Sequence, residues 1–403
     1  MNLVQSCLPL IAVLAIGGAA HAAEAGPVKI GVLTDMSGFL ASSLGTGSVD
    51  AARMAIEDFG GEVLGKKIEL VFADHVNKPD VGLVTARKWY DSEGVDVIAD
   101  IGNSAVGLGV QELAREKKKL VLYAGASSSA FTDKACSPYG TQWSHDTYMF
   151  ANGLPAKLTR DGNKTWYFVT ADFAFGKALE ADATKAVTGA GGKVVGSVKH
   201  PSNSTDFSSY LMQASDSKAS VVALANAITD TTNSIKQWNE FQMGGKEQKL
   251  VALTLLLNDV RALGLPVAKG TVFSTVFYWD LDDKTRAFAK RFHARNKFMP
   301  AEAHAGTYSA VYHYLQAVKA AGTKDADVVR VKMAQMPIND FYSNNVRIRE
   351  DGRVMRQTYI AQVKSPDESR GEWDLYKILE TVPAEQSWRP LTESQCPLVR
   401  KGG

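Results

Sequence analysis

The residues with the most chemistry to offer are small and polar, and they gather where apolar β-rich runs end. Asp35-Met36-Ser37-Gly38-Phe39 follows the run 28–34 (VKIGVLT), and Gly102-Asn103-Ser104 follows 95–101 (VDVIADI) and opens a helical pattern. Ala124-Gly125-Ala126-Ser127-Ser128-Ser129 follows Leu120–Tyr123. In open parallel sheets, ligands bind in the crevice beyond the strand carboxyl ends. Ser and Asn there can cap a helix, while free N–H groups and the positive end of the helix dipole favour an anion. For any single serine, capping alone suffices; three such loops from one sheet point to an anion cradle. No Lys or Arg lies in 100–107 or 123–132, so helix ends and hydrogen bonds would have to meet the charge.

A second set has more aromatic character. Thr170-Ala171-Asp172-Phe173-Ala174-Phe175-Gly176, Asn226-Ala227-Ile228-Thr229-Asp230 and the stretch Thr254 to Asp259 each follow a β-rich run, and Phe277-Tyr278-Trp279-Asp280 ends another. Phe173 and Phe175 read equally as helix-entry packing or as cover for the apolar part of a ligand across a cleft. Tyr278 is expected to line that cleft from the first lobe's side.

Catalytic signatures are missing. The stretch 60–66 (GGEVLGK) nearly spells a phosphate loop, but Lys67 stands where Ser or Thr is required, and the stretch joins a helix to a strand rather than the reverse. Gly189-Ala190-Gly191-Gly192 lacks dinucleotide spacing. There is no Gly-x-Ser-x-Gly elbow, no His-Glu-x-x-His and no Cys-x-x-Cys. Neither a metal nor a cofactor is expected, and no enzyme is indicated.

These loops need a scaffold. β-rich runs at 28–34, 67–73, 95–101 and 120–123 alternate with amphipathic patterns at 48–59, 80–91 and 105–118. The alternation restarts with runs at 164–170, 193–199, 220–225 and 250–253 and helices at 175–188, 208–215 and 232–241. Two series of four βα units predict two α/β lobes with largely parallel sheets. Hinges are expected near 143–147 and 268–271. The last third offers a strand at 271–277, helices at 284–297 and 306–321, and segments 345–349 and 354–363 around Asp351-Gly352, a good hairpin turn.

At 403 residues the chain has room for two to three domains of about 150 residues. Lys plus Arg total 45 and Asp plus Glu 43, a net +2 that offers no field for nucleic acid or an anionic membrane. Mean hydropathy of −0.13 excludes a polytopic membrane protein. Residues 8–16 (LPLIAVLAI) are apolar, too short to span a bilayer, and lead to Ala20-His21-Ala22. We therefore expect residues 1–22 to be a cleaved secretory signal, with Ala23 as the first mature residue. Removing it takes Cys7 and leaves Cys136 and Cys396, which in an oxidising compartment are expected to form one disulfide.

The chain resembles the periplasmic binding proteins of branched-chain amino acid ABC transporters, the leucine-binding type. The likeness runs through KIGVLTDMSGFLASSLG, the Gly-Gly-x-x-x-Gly-Lys turn into IELVFAD, DIGNSAVG, YAGASSSAFT, TADFAFG and the late Asp351-Gly352 turn. It implies a type I periplasmic-binding fold: two doubly wound lobes joined by three crossovers and closing on a ligand. Lobe I is expected over 27–145 and 271–340, lobe II over 146–270 and 341–380, and a tail over 381–403. The implied ligand is a small carboxylate: a hydrophobic amino acid or an aromatic acid. The implied partner is an inner-membrane permease, with the protein monomeric in the periplasm. By the resemblance, Ser104 falls where the family has a hydroxyl at the head of the helix after the third strand, Gly125 and Ser127 fall where a backbone group and a hydroxyl bind the α-carboxylate and α-amine, and Phe175 replaces a tyrosine. The acidic ammonium partner has no clean match, with Asp259 or Asp230 as alternatives. The full expected contact set is Phe39, Asn103, Ser104, Gly125, Ala126, Ser127, Phe175, Asn226, Asp230, Thr254, Asp259 and Tyr278. A periplasmic enzyme or ligand-sensing partner built on the same fold is the alternative reading.

Overall fold

The computed structural model describes residues 26–245 and 247–399; the expected signal at 1–22 lies outside them. Five parallel strands, β1 (Lys29–Thr34), β2 (Glu69–Asp74), β3 (Val97–Asp100), β4 (Leu120–Tyr123) and β5 (Gly140–Gln142), form the first sheet in the order β2-β1-β3-β4-β5. Four more, β6 (Thr165–Ala171), β7 (Lys193–His200), β8 (Val221–Ala225) and β9 (Lys249–Ala252), form the second in the order β9-β8-β6-β7, again all parallel. The central strands β3, β4 and β8 are buried at every position, as expected where helices cover both faces. The edge strand β7 mixes exposed and half-buried positions until it ends at the buried His200.

The helices of the first lobe are α1 (Gly45–Phe59), α2 (Pro79–Asp91) and α3 (Ser104–Lys117). Those of the second are α4 (Thr147–Arg160), α5 (Ala174–Gly189), α6 (Ser208–Asp216), α7 (Thr229–Glu240) and α8 (Leu257–Leu263). Asp146 at the head of α4 accepts from the Met149 N–H at 2.8 Å. Pro155 lies inside α4, which hides that helix from a pattern search. The chain then returns to the first lobe with α9 (Asp283–Asn296), α10 (Glu302–Ala321) and α11 (Ala326–Gln335). α10 packs along α1 so closely that a Cβ on Gly47 would lie 2.6 Å from His304 Nε2. Arg291 grips Asp58, Arg295 grips Glu57, and Tyr308 donates to Asp58 at 2.7 Å, tying α9 and α10 to the end of α1.

A third sheet differs from expectation. β10 (Val272–Thr275) pairs antiparallel with β11 (Thr358–Val363), which pairs with β12 (Tyr376–Val382). β10 packs on α4, so 272–275 stands with the second lobe, and the crossover expected near 268–271 falls after the strand. The Asp351-Gly352 turn is present, with Gly352 at φ +86°, but its arms meet only at the Ile348–Val354 bridge. The regular partner of 358–363 is β12 instead. Arg353, buried beyond that turn, stacks its guanidinium 3.8 Å from the Trp388 ring and lies 3.4 Å from Asp146. The chain thus crosses between lobes three times: at 143–147, after β10, and after 353. From β12 the tail folds back over the hinge, and Cys396 bonds to Cys136 with the Cα atoms 5.5 Å apart.

Candidate functional site

Each parallel sheet has one place where strand order reverses, between β1 and β3 in the first lobe and between β6 and β8 in the second. Loops leaving neighbouring strands diverge there and open a crevice. A cavity of about 590 Å³, counting its mouth, lies between the lobes and is lined from both reversal points. Leu40, Ser43, Leu44, Gly102, Ser104, Gly125 and Ser127 come from the first lobe. Phe150, Phe173, Phe175, Ala227, Ile228, Thr254 and Leu256 come from the second. His145 contributes from the first crossover, and Ala301, Glu302 and Ala303 from the head of α10.

The first-lobe wall is shaped by backbone. Asp100 and Ile101 hold φ of +72° and +52°, turning the chain sharply as β3 ends. Gly102 and Gly125 then approach so closely that a Cβ on Gly102 would stand 2.5 Å from Leu44 Cδ1, and one on Gly125 2.8 Å from Asp100 Oδ1. Asp100 is buried beneath this floor, and burial pushes its carboxyl up to about 6. The hydroxyls of Thr34, Ser48 and Thr307 surround it and restrain that rise, although none reaches hydrogen-bond geometry. The Asn103 side chain caps α3, accepting from the N–H groups of Ala105 at 2.7 Å and Val106 at 3.2 Å. Because Asn103 fills the capping role, Ser104 does not. Ser104 Oγ accepts from the Ser128 N–H at 3.1 Å, leaving its proton for a ligand. The Ser127 hydroxyl donates to the Gly125 carbonyl at 2.8 Å, so it presents lone pairs instead.

The remaining wall is largely apolar. Phe173 and Phe175 stack with ring centres 5.9 Å apart, and Phe39 meets Phe173 edge-on at 6.3 Å. Thr254 donates its proton to the Asn226 carbonyl at 2.6 Å. Burial, reinforced by the charge of Arg353, holds His145 down to about 3, which keeps it neutral. Among the described residues, no Lys or Arg lines the cavity. Its one acidic wall residue is Glu302, whose Oε1 accepts from the Thr275 hydroxyl at 2.7 Å and whose carboxyl burial pushes up to about 7.

Of the expected contacts, Ser104, Gly125, Ser127, Phe175 and Thr254 line this cavity. The others do not. Phe39 stands behind Phe173, and Asn103 turns to its cap and to Asn77 Oδ1 at 2.6 Å. Ala126 faces the core and offers its carbonyl to Gln142. The Asn226 side chain is engaged with Thr231 at 2.8 Å and His200 at 3.2 Å. Asp230, offered as an ammonium partner, instead accepts from the Asn203 and Ser204 N–H groups. Asp259, the other candidate, accepts from the Leu256 N–H at 2.9 Å. Tyr278 lies in the third sheet's core, stacked on Tyr376 at 4.9 Å, with its hydroxyl bonded to the Trp373 carbonyl. Leu40, Leu44 and Leu256 escaped the search because they read as core. Glu302 is not legible because the expected helix begins at 306, whereas α10 begins at Glu302 itself.

Comparison with known proteins agrees with this architecture. The sequence profile of the periplasmic binding protein family matches residues 27–371. A Leu/Ile/Val-binding protein homolog from Brucella abortus is 25% identical over 339 residues, 82% of this chain and 87% of that protein. The crystal structure of a periplasmic binding protein from Burkholderia mallei is similar with a TM-score of 0.90 and 44% identity, covering 92% of this chain and 99% of that one. A branched chain amino acid ABC transporter periplasmic ligand-binding protein from Burkholderia xenovorans follows at 0.81 and 39%, over 93% and 100% of the two chains. The two reversal points facing one cavity, the three crossovers and these matches lead to one conclusion: the chain belongs to the periplasmic binding proteins, with the type I fold and of the leucine-binding type found in branched-chain amino acid ABC transporters.

Proposed function

We propose that the protein captures a small, largely apolar carboxylate between its lobes and hands it to an ABC permease. The observation that carries this reading is the cavity itself. The Ser104 hydroxyl and the head of α3 face it from the first lobe, and the stacked Phe173 and Phe175 face it from the second. With no cation on the wall, the anion would be held by hydrogen-bond donors and the helix end, and the apolar remainder by contact with the rings. A ligand touching both lobes stabilises the closed arrangement by its differential affinity for that state. Contacts between the lobes already frame it: Phe39 against Phe173, and the Asn258 side chain to the Ser42 carbonyl. Among the described residues, no helix is long and apolar enough to cross a membrane, so passage across one would fall to the permease.

A thermal-shift screen tests the capture step. A panel of hydrophobic amino acids and aromatic acids should contain a compound that raises the melting temperature in proportion to its occupancy. The aromatic acids belong in it because a fold neighbour from Rhodopseudomonas palustris is in complex with benzoate. A panel without a single binder would overturn the carboxylate reading. Uptake of the labelled ligand by cells with and without this chain tests delivery, which equal uptake would refute.

A further inference from the structure

Two residues of the cavity lining, Ser43 and Glu302, each carry a buried side-chain oxygen without a hydrogen-bond partner, Oγ and Oε2. The serine can turn its hydroxyl toward whatever arrives. The carboxyl is the more demanding group. Glu302 is 2% exposed, its Oε1 is engaged by Thr275, and its own backbone N–H lies near the carboxyl without reaching Oε2 in hydrogen-bond geometry. A buried carboxyl oxygen without a donor is costly, and the cost is removed when a ligand supplies one.

We propose that Glu302 is a specificity-determining residue of this cavity: it selects carboxylates that also carry a hydrogen-bond donor, a hydroxyl or an ammonium, able to reach Oε2. This rests on reading the cavity as the carboxylate site. A second anionic group this close to a bound carboxylate repels it unless a donor intervenes, so Glu302 discriminates against plain apolar acids as well as favouring donor-bearing ones. Among the described residues no other carboxyl lines the wall. Thr254 and Ser127 can offer a ligand donor only neutral lone pairs, and His145 is uncharged. The expected acidic partners, Asp230 and Asp259, both face backbone N–H groups.

Proton linkage should report the same contact. The titratable groups around Glu302 are Asp259 on α8, Tyr342 before the last crossover, Tyr376 on β12 and His145 on the wall. His304, one turn on in α10, is held neutral by burial and bonded to the Leu44 carbonyl. Neither tyrosine nor histidine changes charge near neutrality, while the Asp259 carboxyl is pushed up to about 7 by burial and by Glu302 itself. An ammonium at Oε2 favours the ionised form, so binding near pH 7 releases a proton. A plain acid favours the protonated form and takes one up.

The test is calorimetry on the whole protein with two matched pairs, leucine against 4-methylpentanoate and 4-hydroxybenzoate against benzoate, for the parent, Glu302→Gln and Glu302→Met. In the parent, the donor-bearing member of at least one pair should bind at least ten-fold tighter. Glu302→Met should bring that ratio close to one. Glu302→Gln, which keeps shape and an acceptor, should retain a hydroxyl preference but lose an ammonium preference, and so tells the two donors apart. Repeating the parent titration in buffers of different ionisation enthalpy should show proton release with leucine if the ammonium is the donor. An unchanged ratio in Glu302→Met, or a parent that prefers the plain acid in both pairs, overturns the Glu302 proposal alone. No binding by any of the four compounds overturns this proposal, and the thermal-shift panel decides the carboxylate reading separately.

Discussion

Replacing Ser104 by alanine separates ligand binding from scaffolding, because the structure gives the two roles to different residues. Asn103 caps α3 through two N–H groups, so the helix head survives in Ser104→Ala. What the substitution removes is the acceptor of the Ser128 N–H at 3.1 Å and a hydroxyl proton facing the cavity. The first loss leaves a buried donor unpaired and should cost about 1–3 kcal/mol of stability. The second removes a hydrogen bond to a charged carboxylate, worth about 1.5–3 kcal/mol, so affinity should fall about 10- to 150-fold. Calorimetry with the ligand found by thermal shift measures the second, and denaturant melts without ligand measure the first. Ser127→Ala should lose less affinity, since its proton is spent on the Gly125 carbonyl. Asn103→Ala should lose a cap, about 1 kcal/mol, with little direct effect on the ligand. If Ser104→Ala binds within two-fold of the parent while Asn103→Ala weakens binding more, the anion is not held by Ser104 and the cradle is wrong.

Three further outcomes follow from groups away from the ligand. Cys136 and Cys396 are separated by 260 residues, so replacing both by serine should lower stability by up to about 5 kcal/mol in the chain-entropy account; unchanged denaturant midpoints would refute that. Asp100→Asn should gain on the parent as pH rises. The parent's raised carboxyl pKa of about 6 contributes stability below the unfolded value near 4, and that contribution is lost by pH 6. The difference between variant and parent should therefore shift by up to about 3 kcal/mol between pH 4 and 8, and a flat difference would remove Asp100 as a buried titrating group. Arg389 on the tail bonds Asp182 of α5 at 2.7 Å, and Ser129 and Thr147 also donate to that carboxylate. Arg389→Met should destabilise by about 3 kcal/mol. Adding Asp182→Asn should recover part of the loss, and additive effects would show that the pair is not coupled.

The elements that the sequence makes legible are those whose pattern answers to one burial rule. Buried parallel strands such as 120–123 and 221–225 read as short apolar runs, and the helices between them keep a three-to-four spacing, so their bounds differ from expectation by only a few residues. α4 was not legible because Pro155 interrupts its pattern, although the Asp146 cap marks its start. β10 reads correctly as a strand but not as to its sheet. Its partner 358–363 lies more than eighty residues on, and that strand's other neighbour, 376–382, further still, with no local signal tying them to it.

The site divides along the same line. Ser104, Gly125 and Ser127 are legible because backbone geometry at strand ends fixes where a small residue must point, whatever its side chain does. Gly125 is required there by the Asp100 side chain itself. Asp230 and Asp259 sit at similar strand ends, yet Asp230 is held by two backbone N–H groups and Asp259 by one, and a buried carboxylate already engaged in this way has little reason to wait for a ligand. Glu302 differs because it has no such escape. At the head of α10 Glu302 lines the cavity, and its carboxyl meets one threonine hydroxyl at Oε1 and no donor at Oε2. An acidic side chain therefore becomes a ligand-reading group where the fold withholds local donors from it, and that condition is visible only once the third sheet and the second crossover are in place.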